Sequence, residues 1–117
     1  MATRDYAVDL TRSADGNNIH AHVREFSLSL GSKARDMSVG FNPVETLLSA
    51  AGACITSSLG LVAKNSNVAL DELNITAVGT RQDDPPRLTA ARLELEIASP
   101  ASDEKIDKIV RIAGNAS

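Results

Sequence analysis

The 117-residue chain carries 12 Lys and Arg against 15 Asp and Glu, a formal net charge of −3, with the cations scattered. That excludes the basic stripe by which nucleic-acid binders neutralise phosphates. Aromatic residues make up only 3%, so the core must be built from Leu, Ile, Val and Ala, and a core this thin favours sharing between two chains as a homodimer.

Residues 1–10 are interrupted by Arg4, Asp5 and Asp9. No apolar run further along is expected to approach the roughly 18 residues that span a bilayer, so no membrane association is expected. No linker or repeat divides the chain, and a single domain over 1–117 is expected. Residues 6–10 read as a strand, 13–18 as a polar turn around Asp15-Gly16, and 19–30 as strand. In the last of these Phe26, Leu28 and Leu30 alternate with Ser27 and Ser29, the period of a half-buried strand.

The clearest local signal is Asn42-Pro43-Val44-Glu45, in which Asn42 is an N-cap, Pro43 the first helical residue and Glu45 the return arm of a capping box. Val44, Leu47, Leu48, Ala51, Cys54, Ile55, Leu59 and Val62 then recur at three- and four-residue steps, predicting one apolar stripe on a helix that runs to about Lys64. Its middle, Ala50 to Ala53, is almost without bulk and permits close approach by a sheet or by a second copy. After a polar turn at 65–67, residues 73–80 and 92–97 alternate as two strands, and Gln82-Asp83-Asp84-Pro85-Pro86 between them reads as a hairpin loop or edge turn. Ser102 caps a last helix with acidic Asp103 and Glu104 in its first turn, a buried stripe of Ile106, Ile109, Val110 and Ala113, and a stop at Gly114. Strands, helix, strands, helix imply a two-layer α+β domain with antiparallel pairing around a central helix.

Cys54 is the only cysteine, so it forms no internal disulfide, and a free thiol fits a reducing compartment, the cytoplasm. On the apolar stripe it reads first as an inert core residue. To react it must be a thiolate, and it lies too far from the helix N-terminus for the macrodipole to help. A cation from elsewhere is required: Arg12 is the leading candidate, with Arg24 and Arg35 as alternatives and a solvated surface charge as the plain reading of each. Glu45 precedes Cys54 by nine residues, two and a half helical turns, which puts the two on opposite sides of the helix. Capping is its plainer role, and contact with a thiol at 54 would cross a subunit interface. His20 and His22 share one side of a strand, but no third ligand completes a metal set, so no metal or other cofactor is expected. Lys105, Lys108 and Arg111 mark the wet side of the last helix. No phosphate loop, nucleophile elbow or CxxC pair is present.

The segment Gly40-Phe41-Asn42-Pro43-Val44-Glu45-Thr46-Leu47-Leu48-Ser49-Ala50-Ala51-Gly52-Ala53-Cys54 resembles the signature of the OsmC and organic hydroperoxide resistance (Ohr) family, as does the entry to the last helix at Ser99 to Lys105. The resemblance implies an intertwined homodimer with two active sites at the subunit interface. It further implies reduction of organic hydroperoxides by a thiolate at Cys54, through a sulfenic acid that a second cysteine captures. That cysteine is absent, Ser117 falling where it would be, so an external thiol is the expected reductant. The chain is expected to stop short of the family's last strand-forming segment. The peroxidase branch places a Glu, partner of a catalytic Arg, directly after the Pro; here Val44 stands there, and Arg12 falls near the Arg position. Three readings follow: a one-cysteine hydroperoxide peroxidase, a non-catalytic dimer holding a small apolar ligand at its interface, and a structural oligomer in which Cys54 only packs.

Overall fold

The computed structural model describes residues 2–32 and 38–116. Among these the fold is α+β: β1 (Asp9–Arg12), β2 (Asn18–Val23), β3 (Phe26–Gly31), α1 (Pro43–Asn65), β4 (Glu72–Asp83), β5 (Pro86–Ala98) and α2 (Asp103–Ala116). Two compact units can be distinguished, Met1–Thr46 and Leu47–Ser117.

In the first unit β1, β2 and β3 form an antiparallel sheet in that order. The turn between β1 and β2 is closed by Ser13 N–H donating to the Asn18 carbonyl at 2.9 Å, which fixes the register Arg12↔Ile19 and Leu10↔Ala21. The first strand therefore lies at 9–12 and not at 6–10. β2 ends at Val23, so residues 6 and 7 have nothing left to pair with, and Tyr6 is 82% exposed. The stretch 19–30, read from sequence as continuous strand, is a hairpin: Val23 pairs with Phe26 across the two residues Arg24 and Glu25. Arg24 takes the left-handed conformation this turn needs, with φ 54°, although it is not one of the Gly, Asn or Asp residues that announce such turns. Of the alternating Phe26, Leu28 and Leu30, only Leu30 is buried.

The start of α1 follows the capping box. Glu45 N–H donates to Asn42 Oδ1 at 2.8 Å and Asn42 N–H donates to Glu45 Oε1 at 2.9 Å. Each side chain thus satisfies a backbone donor the helix leaves open. The helix ends at Asn65. Asn67 follows in the left-handed conformation, φ 55°, and Val68 N–H donates back to the Ala63 carbonyl at 2.9 Å.

The second unit contains the main core. β4 and β5 pair with Leu73↔Ile97, Ile75↔Leu95 and Ala77↔Leu93, so one face of this ribbon is apolar while Glu72, Asn74, Thr76, Glu94 and Glu96 line the other. The pairing continues to Asp83↔Pro86. Only Asp84 and Pro85 remain as the turn, shorter than the five-residue loop expected. Against the apolar face lie Leu59, Ala63 and Val68, together with Ile109 and Ala113 of α2. All are Leu, Ile, Val or Ala, as composition required, and Leu59 is the largest side chain fully enclosed. α2 opens with Lys105 N–H on Ser102 Oγ at 3.3 Å and passes through Gly114 to Ala116. Gly114 does not stop it.

The expectation that no apolar run approaches 18 residues is overturned. α1 is long and apolar enough to cross a membrane by length and composition, because residues 46–63 contain no charged side chain and their Ser, Thr and Gly residues do not break the run.

Candidate functional site

Cys54 stands at the middle of α1 and is exposed. The single apolar stripe expected from the sequence is two stripes. Val44, Leu48, Gly52, Ile55, Leu59, Val62 and Ala63 are half-buried or buried. Leu48 reaches the strands at Gly79, where an added Cβ would lie 3.1 Å from its Cδ1, and Gly52 lies beside Ile75. At 100° per residue Cys54 is turned 200° from Gly52 and 100° from Ile55, so its sulfur points away from the strands. It belongs to the second stripe, Leu47, Ala51, Cys54, Ser58 and Leu61, exposed except at the half-buried Ser58, which repeats at the four- and three-residue steps of a heptad seam. Leu47 and Leu61, one heptad to either side of Cys54, are 59% and 61% exposed. The inert, enclosed thiol expected as the plain reading is thus corrected. Packing in this chain leaves Cys54 open, and a helix apolar on both faces leaves surface that packing within the chain does not cover.

A thiol here is accessible to a peroxide, and its nucleophilic form is the thiolate. Cys54 lies eleven residues, about three turns, past Pro43 and so outside the first turn in which the helix N-terminal dipole acts, and any cation must come from another element. Cross-strand partners share a face and residues two apart on a strand do too, so Leu10, Arg12, Ile19, Ala21, Val23, Phe26, Leu28 and Leu30 line one side of the first sheet. Arg12 is the single charged residue among them. It makes no ion pair with a described residue, and its guanidinium lies against Gly16 in the following turn. At the far end of the same side Val8, Ala21, Val23, Phe26 and Leu28, with the intervening Ser27 between the last two, line a shallow apolar depression of about 200 Å³.

The other expected residues separate from this picture. Arg24 sits in the β2–β3 turn with its guanidinium 5.6 Å from the Phe26 ring centroid. Arg35 and Ser117 lie outside the described residues. Glu45 is engaged at the helix start, on the opposite side of α1 from Cys54. Val44, following the Pro, is half-buried. His20 and His22 share the polar side of the first sheet with Asp9, Thr11, Ser27 and Ser29, and His20 Nδ1 is 3.1 Å from Ser29 Oγ. Among the described residues no three His, Cys, Asp or Glu side chains are grouped to hold a metal. One feature escaped the sequence reading: the exposed seam, whose heptad spacing was present but merged with the core stripe.

The family model for OsmC-like protein matches residues 31–117. The chain belongs to the OsmC-like protein family. Solved structures agree with this in fold. The OsmC-like protein from Mycoplasma pneumoniae superposes with a TM-score of 0.86 at 23% identity, over 96% of this chain and 82% of that one. An organic hydroperoxide resistance protein from Elizabethkingia anophelis gives 0.72 at 17% identity, over 98% and 86%. The organic hydroperoxide resistance protein OhrB of Bacillus subtilis gives 0.61 at 19%, over 92% and 83%. No curated protein sequence matches the chain. The family match starts at residue 31 and so contains Cys54 and Glu45 but not Arg12.

Proposed function

We propose that the protein reduces organic hydroperoxides through Cys54 in the reducing cytoplasm, working as a homodimer in which a second copy covers the exposed seam of α1 and supplies Arg12 as the cation that holds the thiolate. The observation that carries this reading is an accessible sulfur at the centre of an uncharged, exposed apolar seam. Such surroundings favour an alkyl or aryl hydroperoxide over a strongly hydrated one. Its support from kinship is membership of a family that has hydroperoxide resistance proteins among its structural relatives. The thiolate attacks the distal peroxide oxygen, an S–O bond forms and the O–O bond breaks. The alkoxide leaves and takes a proton to become the alcohol, and the sulfur is oxidised to a sulfenic acid. An external thiol condenses with it, releasing water. A second thiol then restores the Cys54 thiol and leaves as the disulfide. Glu45 serves the helix start. The test is consumption of cumene hydroperoxide with excess dithiol: a wild-type rate no higher than that of Cys54→Ser overturns the proposal.

Val44 in place of the family's Glu favours a second reading, a non-catalytic dimer that holds a small apolar ligand at the same seam. A thermal shift with fatty acids or their hydroperoxides, in the absence of turnover, distinguishes it.

A further inference from the structure

We infer that the turn between β1 and β2 protects the Asp15-Gly16 bond from isomerisation, so that modification at Asp15 requires the turn to open. Asp followed by Gly is the pair most open to this reaction, because the second residue has no side chain to keep its amide from the carboxyl. The Gly16 nitrogen attacks the Asp15 side-chain carbon. A C–N bond forms, the carboxyl oxygen leaves as water, and a five-membered imide results. Water then opens the imide at either carbonyl, and one of the two products, isoaspartate, carries the main chain through the side chain and is one carbon longer. Three conditions govern the ring closure: the carboxyl must hold a proton so that its oxygen can leave, the Gly16 nitrogen must give up its hydrogen, and the Asp15 side chain must turn to bring its carbon onto that nitrogen.

Asp15 is exposed, so access of water does not limit the reaction. Contacts within the turn oppose each condition instead. Asp15 Oδ1 accepts from Ser13 Oγ at 2.7 Å and from Asn17 N–H at 2.9 Å. Two donors on one oxygen favour the carboxylate, and the carboxyl is held below its ordinary value, first by Asn17 and then by Ser13. The reactive acid fraction at neutral pH falls in the same proportion. The same two bonds restrain the side-chain torsions through which the ring must close. Gly16 N–H donates to the Ser13 carbonyl at 3.0 Å, so the hydrogen that must leave is engaged. The turn is also anchored from outside: Ser32 Oγ donates to the Gly16 carbonyl, and Ser32 N–H donates to that of Asn17 at 3.2 Å. Ser13 Oγ accepts in addition from Asn18 N–H at 3.1 Å, which joins the clasp on Asp15 to the start of β2. An extra main-chain carbon at Asp15 would fall inside the segment whose closure sets the register Arg12↔Ile19, so protecting this bond protects the pairing of the first sheet.

The experiment ages the full chain at neutral pH, folded in buffer and unfolded in urea, and follows isoaspartate at position 15 by chromatographic peptide mapping. It compares wild type, Ser13→Ala and Ser32→Ala, with circular dichroism to show that each variant is folded in buffer. Folded wild type should isomerise about ten- to a hundredfold more slowly than the unfolded chain, the factor by which two or three ordinary hydrogen bonds hold a turn closed. Ser13→Ala removes a donor to Asp15 and the acceptor of Asn18 N–H, and should speed the folded chain by about threefold or more. Ser32→Ala releases the Gly16 carbonyl from its anchor and should also speed it, while all three chains react at one rate in urea. Equal rates for folded and unfolded wild type overturn the inference. A folded Ser13→Ala chain as slow as wild type overturns it too, since protection would then lie outside the clasp on Asp15. Where Ser13→Ala fails to fold, a Ser32→Ala rate equal to that of wild type overturns it in the same way.

Discussion

Replacing Leu59 by Ala tests the assignment of the core to the second unit. Leu59 is fully enclosed, and its neighbours in the cluster are Ala63, Val68, Ile109 and Ala113. Removing its outer carbons forfeits roughly 2.4 kcal/mol of transfer free energy at about 0.8 kcal/mol per methylene. The space left behind adds about 1–2 kcal/mol at ~24 cal/mol per Å³. Ala63 and Ala113 have no side-chain torsion with which to fill that space, so the site relaxes little. The expected loss is therefore about 3.4–4.4 kcal/mol, a large share of a domain stability of roughly 5–15 kcal/mol. Urea unfolding of wild type and variant at one protein concentration measures it from the midpoints at a common slope. A loss below about 1.5 kcal/mol, the scale of a partly exposed position, would refute the packing described for α1, α2 and the β4–β5 ribbon.

Leu47→Asp and Leu61→Asp alter side chains that are mostly exposed in the single chain. Each should leave the helical circular dichroism intact while moving the sedimentation coefficient from dimer to monomer, and a species unchanged from wild type would count against the seam as an interface. Glu45→Gln preserves the hydrogen-bonding pattern of a capping box, so stability should change by less than about 0.5 kcal/mol and peroxide turnover should stay near wild type; a large loss of turnover at unchanged stability would move Glu45 into the chemistry. The carboxyl of Asp15 is held below its ordinary value of 3.8, first by the Asn17 N–H and then by the Ser13 hydroxyl. A lowered folded value contributes stability above pH 3.8 that is lost as pH falls further, through the folded value. The stability difference between wild type and Asp15→Asn should therefore be constant above that pH and shrink below it in acid unfolding curves, and a difference independent of pH would refute the assignment.

Much of the architecture was legible because single residues enforced it. Asn42, Pro43 and Glu45 fixed the start of α1 to the residue, since few sequences satisfy the open backbone donors in that way. The stripe Ile106, Ile109, Val110 and Ala113 was correct because α2 has one apolar face and one charged face, so its period is unambiguous. α1 misled for the opposite reason. Apolar on two sides, it offers steps of three and four along both, and spacing alone cannot assign Cys54 to one of them. The β2–β3 hairpin was hidden because Arg24 and Glu25 carry none of the turn chemistry of Gly, Asn or Pro. The place of Arg12 on an otherwise apolar side depends on the register Arg12↔Ile19, which the turn sets and the composition of the strand does not.

The composite site is tested most directly by mixing two disabled chains. Cys54→Ser lacks the sulfur and Arg12→Gln lacks the cation, so each alone should be nearly inactive against cumene hydroperoxide. Unfolded together in equal amounts and refolded, they should assemble mixed dimers in which one of the two sites receives Cys54 from one copy and Arg12 from the other, restoring about one quarter of wild-type activity. Activity no greater than the sum of the two separate variants would contradict a site built from both copies.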